Sequence, residues 1–192
     1  MYSLLYALPG TPVLFYGEEI GMGENLDVPG RLAVRTPMQW APGPTAGFST
    51  AEPRDFVTPV PDGPYGPDRI SVAQQMHDPD SLMSWIARLN RRFRECPALG
   101  LGDVTVYDLT ESPVLAHQLS ADGDSVLLVH NLDERPRDVV VPVGGLEDGT
   151  ELCDLLHVGP DLPEPHVVQG GEVKIHVGRY GCRWMRVSRP TV

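Results

Sequence analysis

The sequence has little lysine, no long hydrophobic run and no excess of positive charge. Lys174 is the only lysine among the 15 basic residues, so arginines must fill every other cationic role. A net charge of −11 leaves no basic surface that would attract nucleic acid or an anionic membrane. No run approaches the ~18–20 apolar residues of a membrane span, and the N-terminus lacks the basic segment of a secretory signal. We therefore expect neither nucleic acid nor a membrane as a partner.

The three cysteines, Cys96, Cys153 and Cys182, do not form a disulfide or zinc framework. Their number is odd, and no pair has the CxxC spacing of a zinc or redox site. No histidine has metal-ligand spacing with another histidine or cysteine, and Cys96 has no evident base that would make it a nucleophile. The GxSxG, P-loop and GxGxxG motifs are also missing. These features predict a cytoplasmic protein with reduced thiols, no metal and no cofactor.

The first part of the chain predicts one α/β unit followed by a long loop. Residues 2–8, YSLLYAL, have no N-cap and are too few for a stable isolated helix, so they predict the last turns of a longer one. Residues 11–16, TPVLFY, are apolar on both faces, which predicts a buried strand of a parallel sheet. Its partner strands must come from elsewhere. Residues 22–78, rich in Pro, Gly and Asp, predict a long functional loop.

A second helix is predicted after this loop. Asp78 is a candidate N-cap, and Pro79 suits the first helical position. Pro97 ends the pattern. Apolar residues recur at helical spacing and predict one buried face, formed by Leu82, Ile86, Leu89 and Phe93.

From about residue 103 the hydrophobic period changes to two, which is typical of strands. Turn signals such as Asp122-Gly123 and Asp148-Gly149 separate the runs. Together they predict an antiparallel β-sandwich. The predicted strands are VTVYDL, PVLAHQL, SVLLVHNL, DVVVPV, EVKIHV and CRWMRV.

Glu18 and Glu19 directly follow the predicted buried strand and are the candidate acids of a site. In barrels of alternating strands and helices, active groups lie at the carboxyl ends of the strands. One of the pair could face a polar cleft, or a carboxylate could anchor the next loop by accepting backbone hydrogen bonds or pairing with an arginine. Consecutive residues of extended backbone point to opposite faces. We therefore do not expect the two carboxyls at the ~5–5.5 Å separation of a retaining glycosidase pair.

Arg31, Arg35, Gln39 and Trp40 gather guanidinium, amide and indole groups within ten residues. Sugars are bound by such groups, with polar contacts to the hydroxyls and an aromatic ring against the C–H face. The alternative is structural: Arg35 would pair with one of the two glutamates, and Trp40 would belong to a local core. The residue types by themselves leave both alternatives open.

Several stretches resemble the α-amylase superfamily of glycoside hydrolases, family 13. LPGTPVLFYGEEIGMGENL resembles the eighth strand of its catalytic barrel and the loop that follows. VRTPMQW followed by AGFS is typical of the trehalose synthase and oligo-1,6-glucosidase branch, whose enzymes act on short α-glucosides. RECPALGLG and YGCRWMRV resemble the last barrel helix and the C-terminal domain. The resemblance implies an α/β plus all-β fold: the last βα portion of a (β/α)8 TIM barrel in residues 1–98 and a C-terminal antiparallel β-sandwich in residues 99–192.

The resemblance also implies which site residues this chain carries. The family's nucleophilic Asp, acid/base Glu and transition-state-stabilising Asp follow earlier strands, so this C-terminal third would hold no catalytic residue. Arg31 matches an arginine near the +1 glucose, although Leu32 stands where Asn or Asp is usual. Glu18 and Glu19 match an acidic pair that shapes the site. A motif that holds the loop over the mouth of the site is matched by Arg35, Gln39 and Trp40.

Three hypotheses about function remain open. The chain could be the C-terminal part of an enzyme that interconverts maltose and trehalose by retaining intramolecular glucosyl transfer, or of an α-glucosidase or α-amylase type hydrolase. It could be a non-catalytic module that binds α-glucan or mediates assembly. It could also be one half of a split enzyme, with the missing N-terminal part of the barrel as its partner. Whether the chain alone is an enzyme is left open, because the resemblance places all three catalytic acids outside it.

Overall fold

The all-β part of the chain begins at residue 103, where the hydrophobic period changes. The structure, a computed structural model, describes residues 1–110, 112–158 and 164–188. Within these residues eight strands form, and every strand pair is antiparallel. They are β1 (Asp103–Tyr107), β2 (Val114–Ala121), β3 (Asp124–Asn131), β4 (Arg137–Pro142), β5 (Glu151–Asp154), β6 (His166–Val167), β7 (Glu172–Val177) and β8 (Cys182–Val187). The six predicted strands are confirmed, and the short strands β5 and β6 are additional.

The strands are arranged in two sheets. One has six strands in the order β1-β2-β3-β8-β5-β6, and the other pairs β4 with β7. The hairpin between β2 and β3 turns at Asp122 and Gly123, whose φ angles are 48° and 77°. Two consecutive positive φ angles belong to a type I′ turn, for which Asp-Gly is a favoured pair. This turn places Ala121 opposite Asp124 and sets the register of the central strands.

The two sheets enclose an apolar core. Along β7, Val173, Ile175 and Val177 are buried, whereas Lys174 and His176 are exposed, which confirms the predicted alternation. Strand β4 adds Val141. The six-stranded sheet and the connecting segments complete this core with Val114, Ala116, Leu127, Val129, Val143, Leu152, Val168 and Met185. The predicted antiparallel β-sandwich is therefore confirmed.

The described residues also form four α-helices. Helix α1 (Tyr2–Ala7) contacts the C-terminal end of helix α3 (Leu82–Glu95) through Tyr6. The Tyr6 hydroxyl donates to Asn90 Oδ1 at 2.9 Å, and the Tyr6 ring meets the Phe93 ring edge to face, with centroids 6.0 Å apart. None of these helices is long and apolar enough to cross a membrane. The helices are α1 (Tyr2–Ala7), α2 (Val72–Gln75), α3 (Leu82–Glu95) and α4 (Pro97–Leu101).

Helix α4 is attached to the sheet by a buried carboxylate. Asp124, at the start of β3, accepts from Arg186 Nε at 2.7 Å and from the backbone N–H of Ala98 at 3.4 Å. The helix ends at Gly102, close to β2. A Cβ at this position would lie 2.8 Å from the Ser120 nitrogen, so the close approach requires glycine.

The chain divides into two compact units. One contains Met1–Pro12 and Leu89–Val192, which include α1, α4 and the sandwich, and the other contains Val13–Arg88. The predicted domain boundaries, residues 1–98 for the end of the barrel and residues 99–192 for the sandwich, stay a prediction.

The unit Val13–Arg88 consists mainly of loop, as predicted for residues 22–78. Its regular structure within that range is limited to α2 and short 3₁₀ turns. The 3₁₀ turns of the whole unit are Glu18–Ile20, Gly30–Val34, Pro53–Asp55 and Gly63–Tyr65. Helix α3 confirms the second predicted helix, with Ile86 and Leu89 of its apolar stripe buried.

The prediction of a buried strand at residues 11–16 is wrong for this chain. No strand forms there, and Val13 and Phe15 are 80% and 46% exposed. A strand of a parallel sheet needs hydrogen-bonding neighbours on both sides. In the described residues no strand forms before residue 103, so the apolar run has no neighbouring strand with which to pair.

Helix α3 begins three residues later than predicted, so Asp78 is not its N-cap. Ser81 occupies that position: its carbonyl accepts from Trp85 N at 3.0 Å, and its hydroxyl accepts from Ser84 N at 3.2 Å. Asp78 instead forms a turn before the helix, in which its side chain accepts from Asp80 N at 2.9 Å. The N-cap prediction missed Ser81 because both residue types favour this position.

The buried core predicts a large difference between two leucines. We expect Leu127→Ala to lower the free energy of unfolding by about 2–5 kcal/mol, because Leu127 is fully buried and its removal leaves a cavity. Leu101→Ala makes the same change at a side chain that is 82% exposed, and we expect an effect within about 0.5 kcal/mol. Urea denaturation of both variants measures the difference. Equal losses would contradict the assignment of Leu127 to the core.

The corrected helix start predicts a second difference. Ser81→Ala removes the hydroxyl that accepts from Ser84 N, and we expect it to destabilise the unit Val13–Arg88 by about 0.5–2 kcal/mol. Asp78→Ala removes only the turn before the helix and should cost less. Thermal unfolding followed by circular dichroism at 222 nm compares the two variants. A larger loss for Asp78→Ala would restore the original N-cap prediction.

Candidate functional site

Aromatic and charged side chains meet at one cleft within the unit Val13–Arg88. The cleft has a volume of about 690 Å³. Three of the six predicted site residues line it, Glu19, Arg35 and Trp40, whereas Arg31, Glu18 and Gln39 do not. We call it the aromatic cleft, because its walls also include Tyr16, Phe48 and Phe56.

The aromatic walls are held in place by contacts within the loop. Phe48 and Phe56 meet edge to face, with ring centroids 6.0 Å apart and planes at 71°. The Tyr16 hydroxyl donates to the backbone carbonyl of Thr36 at 2.9 Å. The Thr36 hydroxyl is buried and has no partner among the described residues. Trp40 is half-exposed, so its indole is available to a ligand. The cleft thus offers apolar faces with polar groups at their edges.

Glu18 and Glu19 lie in a 3₁₀ turn. The sequence had instead indicated extended backbone at these two residues. Gly17 and Gly21 flank the turn with φ angles of 89° and 75°. The Glu19 carboxylate accepts from the Gly17 backbone N–H at 2.7 Å, so this side chain anchors its own turn. A Cβ at Gly17 would lie 2.6 Å from the Met22 sulfur, which adds a steric requirement for glycine here. The loop-anchoring alternative therefore applies to Glu19, which also reaches the aromatic cleft.

Arg35 and Arg31 are both exposed. The ion pairs among the described residues join other side chains, so the structural alternative in which Arg35 pairs with Glu19 is not realised. The backbone of Arg35 is fixed, because its carbonyl accepts from the Thr58 hydroxyl at 2.9 Å. Arg31 lies in the 3₁₀ turn Gly30–Val34, outside the lining of the aromatic cleft.

Gln39 is fully buried and joins two parts of the loop. Its Nε2 donates to the carbonyls of Tyr65 at 3.0 Å and Ile70 at 2.6 Å. The backbone continues this contact, because the carbonyls of Gln39 and Trp40 accept from Val72 N and from Ala73 N, each at 3.0 Å. The segment that carries Trp40 is therefore tied to the segment that leads into α2.

Sequence reasoning missed part of the site. Phe48 lies within the AGFS stretch and Thr36 within VRTPMQW, but Phe56 carried no recognisable signal. Cys96 is fully buried, and burial raises the pKa of its thiol, so it does not present a nucleophilic thiolate. In the part of the chain that the structure describes, no group of three or more His, Cys, Asp or Glu side chains is arranged to hold a metal ion.

The chemistry available at the aromatic cleft is that of binding. Aromatic rings can stack on the C–H face of a sugar, and a guanidinium and a hydroxyl can bond its hydroxyls. The Glu19 carboxylate is engaged by a backbone N–H, which favours a shaping role over proton transfer.

Comparisons with known proteins agree along the whole chain. Residues 1–100 match the profile of the alpha amylase catalytic domain, and residues 123–186 match that of the sucrose hydrolase-like C-terminal domain. A trehalose synthase from Pimelobacter sp. (strain R48) is 35% identical over 195 residues, covering 98% of this chain and 33% of that protein. A trehalose synthase/amylase from Mycobacterium tuberculosis is 40% identical over 141 residues, covering 71% of this chain and 24% of that protein.

The fold agrees with a solved structure as well. The trehalulose synthase from Pseudomonas mesoacidophila MX-45 superposes with a TM-score of 0.71 at 23% identity, covering 97% of this chain and 37% of that chain. The predicted fold class, the end of a barrel followed by a β-sandwich, is thereby confirmed. The chain spans about a third or less of the length of the curated relatives described above. Because the catalytic-domain profile covers residues 1–100, more than half of the 192 residues, this chain belongs to the α-amylase family and resembles its trehalose synthase branch.

Proposed function

We propose that this chain is the C-terminal part of an enzyme that interconverts maltose and trehalose by retaining intramolecular glucosyl transfer. The observation that carries the proposal is the 35% identity to a trehalose synthase over 98% of the chain, from the loop of the aromatic cleft through the sandwich. The aromatic cleft supports it, because its rings and polar edges suit a small α-glucoside.

In this proposal the chain binds and encloses the sugar, while the catalytic acids belong to the preceding part of the barrel. Trp40 and Phe48 would stack on a glucose ring, and the guanidinium of Arg35 would bond its hydroxyls. Arg31 would contact the same sugar from the neighbouring turn. The glucosyl group must be transferred to another hydroxyl of the glucose that was released. The site must therefore retain that glucose and exclude water. A loop held closed by Gln39 would serve that purpose.

The proposed partner of this chain is the remainder of the barrel. The run at residues 11–16 leaves Val13 and Phe15 exposed, although its composition is that of a buried strand. An exposed apolar strand edge promotes association, so it needs covering strands. These strands could precede the run in the same polypeptide or belong to a separate chain. The exposed run also disfavours the alternative of a stand-alone glucan-binding or assembly module.

Hydrolysis of short α-glucosides is the second candidate. The match of residues 123–186 to a sucrose hydrolase-like domain favours it, as does the description of one relative as a trehalose synthase/amylase. Both reactions would share a glucosyl-enzyme intermediate and differ in whether a sugar or water accepts the glucosyl group. The ratio of trehalose to free glucose formed from maltose distinguishes them.

The proposed function is tested on this chain joined to the preceding part of its barrel. We expect maltose to yield mainly trehalose with little glucose, and we expect this chain alone to convert none. Arg31→Gln should lower kcat/KM for maltose about 10- to 100-fold, because a hydrogen bond from a charged group contributes about 1.5–3 kcal/mol.

Arg54→Gln is the matched control, since Arg54 is exposed and does not line the aromatic cleft. Free glucose as the main product would favour the hydrolase. Turnover of neither maltose nor trehalose would refute both candidates.

The role of Gln39 is tested by Gln39→Leu, which keeps the side-chain size. The carbonyls of Tyr65 and Ile70 would then lose their buried donor, at a cost of about 1–3 kcal/mol. We expect protease cleavage within residues 40–71 to accelerate at least about tenfold, because local opening becomes easier. Gln74→Leu is the control, because exposed Gln74 donates to the Asp68 carbonyl at 2.9 Å. Equal cleavage of the two variants would show that Gln39 does not hold the loop.

A further inference from the structure

Two histidines that the proposed function does not use lie buried side by side in the unit that contains the sandwich. His117 on β2 and His130 on β3 are 2% and 3% exposed. Their ring centroids are 6.4 Å apart, and the ring planes differ by 15°. Both rings are next to α1. His117 contacts Ala7, and His130 lies beside the backbone of Ser3.

The contact with Ala7 determines the tautomer of His117. Its Nε2 lies 2.7 Å from the carbonyl oxygen of Ala7, the last residue of α1. A carbonyl only accepts, so Nε2 carries the hydrogen and Nδ1 of the neutral ring is an acceptor. Nδ1 is buried and has no partner among the described residues. The bond also satisfies one of the free carbonyls at the C-terminus of α1.

The surroundings of the histidine pair disfavour positive charge. Burial lowers the pKa of His117, while its bond to Ala7 acts in the opposite direction. Burial and the neighbouring His117 lower the pKa of His130 to about 4, while the backbone of Ser3 acts in the opposite direction. The neighbouring Cys182 on β8 is a protonated thiol, because burial raises its pKa.

Other charged groups near the pair do not compensate a buried proton. Asp154 and Arg183 act on Cys182 with opposite effects on its pKa, and they form an ion pair at 3.7 Å. Helix α1 itself carries the phenols of Tyr2 and Tyr6, and burial raises the pKa of the Tyr6 phenol, so it stays neutral. Within the described residues, the ion pairs include neither His117 nor His130.

We propose that the His117–His130 pair makes the attachment of α1 to the six-stranded sheet sensitive to acid, so that protonation of either ring releases α1 while the sandwich core stays folded. A proton on His117 adds an N–H donor that has no acceptor. A proton on His130 places a cation beside a second buried imidazole. Once α1 is released from the sheet, its backbone amides open to solvent more readily, which hydrogen exchange reports.

The sandwich core withstands the same protonation because it lies on the opposite face of the sheet. Its cluster of buried residues consists of valine, leucine, isoleucine, alanine and methionine, and Tyr107, which packs against it, stays neutral because burial raises the pKa of its phenol. Successive residues along β2, and likewise along β3, point to alternate faces of the sheet, so the histidines and this core do not share a face.

The direction of the pH effect follows from the lowered pKa values. Both histidines bind protons more readily when α1 is released, where their pKa values approach the ordinary value of about 6.5. The attachment is therefore strongest above about pH 6.5. It weakens as the pH falls through the window from about 6.5 towards the pKa of His130, about 4.

Amide hydrogen exchange of the whole chain between pH 7.5 and 4.5, corrected for the intrinsic pH dependence of exchange, tests this inference. The reporters on α1 are the amides of Leu5 and Leu8, which donate to Met1 O and Leu4 O. We expect their protection to fall at least about tenfold more than that of the amides of Leu127 and Val129. A loss of protection at all four sites together, or at none, would overturn the proposal.

A double variant separates the histidine pair from other acid effects. His117→Gln keeps a donor for Ala7 O, and His130→Phe replaces the second ring without a titratable group. We expect the protection of α1 in this variant to be independent of pH over the same range. His176→Gln removes an exposed histidine that contacts Asp138 at 2.8 Å, and it should behave like the wild type. An unchanged pH profile in the double variant would refute the proposal.

An NMR titration of the wild-type imidazole signals remains decisive if the double variant does not fold. We expect His117 and His130 to titrate below 6.5, with midpoints that coincide with the loss of α1 protection. Midpoints at or above 6.5 for both rings would refute the proposal, since α1 would then not disfavour the charged forms. This inference does not rest on the proposed function, and the result of the titration leaves the proposed function unaffected.

Discussion

Strand β3 is buried on both faces, and the unit that contains the sandwich is organised around it. All residues from Val126 to Asn131 are buried, and this strand pairs with β2 on one side and β8 on the other. One face of the sheet packs its apolar side chains against the two-stranded sheet, where the buried Asn131 Nδ2 also donates to the Val177 carbonyl at 3.4 Å. The opposite face carries His117, His130 and the carboxylate of Asp124, and it meets short helices. A sheet covered in this way must satisfy its polar groups through specific contacts, because water does not reach them.

The unit Val13–Arg88 is held by a different kind of interaction. It is mostly irregular, and buried polar groups take the place of a large apolar core. Gln39 bonds two distant carbonyls, and the Thr58 hydroxyl bonds a third at Arg35. Such bonds are directional, so they define the loop conformation more narrowly than apolar contacts of similar area would. A binding cleft built on this loop can therefore keep its aromatic side chains in position.

Much of the fold followed from residue patterns with a direct physical cause. The alternation in EVKIHV predicted which side chains of β7 face the core, and Asp122-Gly123 predicted the turn between β2 and β3. Strands β5 and β6 were missed because four and two residues are too few for an alternating pattern to stand out. The N-cap of α3 was misplaced because Asp78 and Ser81 both suit it, and only the backbone path decides between them. The buried strand predicted at residues 11–16 does not form, because no strand of the described residues lies beside it.

For the candidate site, the sequence by itself determined the family. The stretch VRTPMQW indicated the α-amylase family, whereas its amide, guanidinium and indole groups were compatible with both sugar binding and a structural role. Tertiary structure decided how the roles are divided. It turned Gln39 inward to tie the loop and placed Trp40 and Arg35 at a cleft with Phe48 and Phe56. It also brought His117 and His130 together under α1. These relationships join residues far apart in the chain, so they depend on how the chain packs and not on any local pattern.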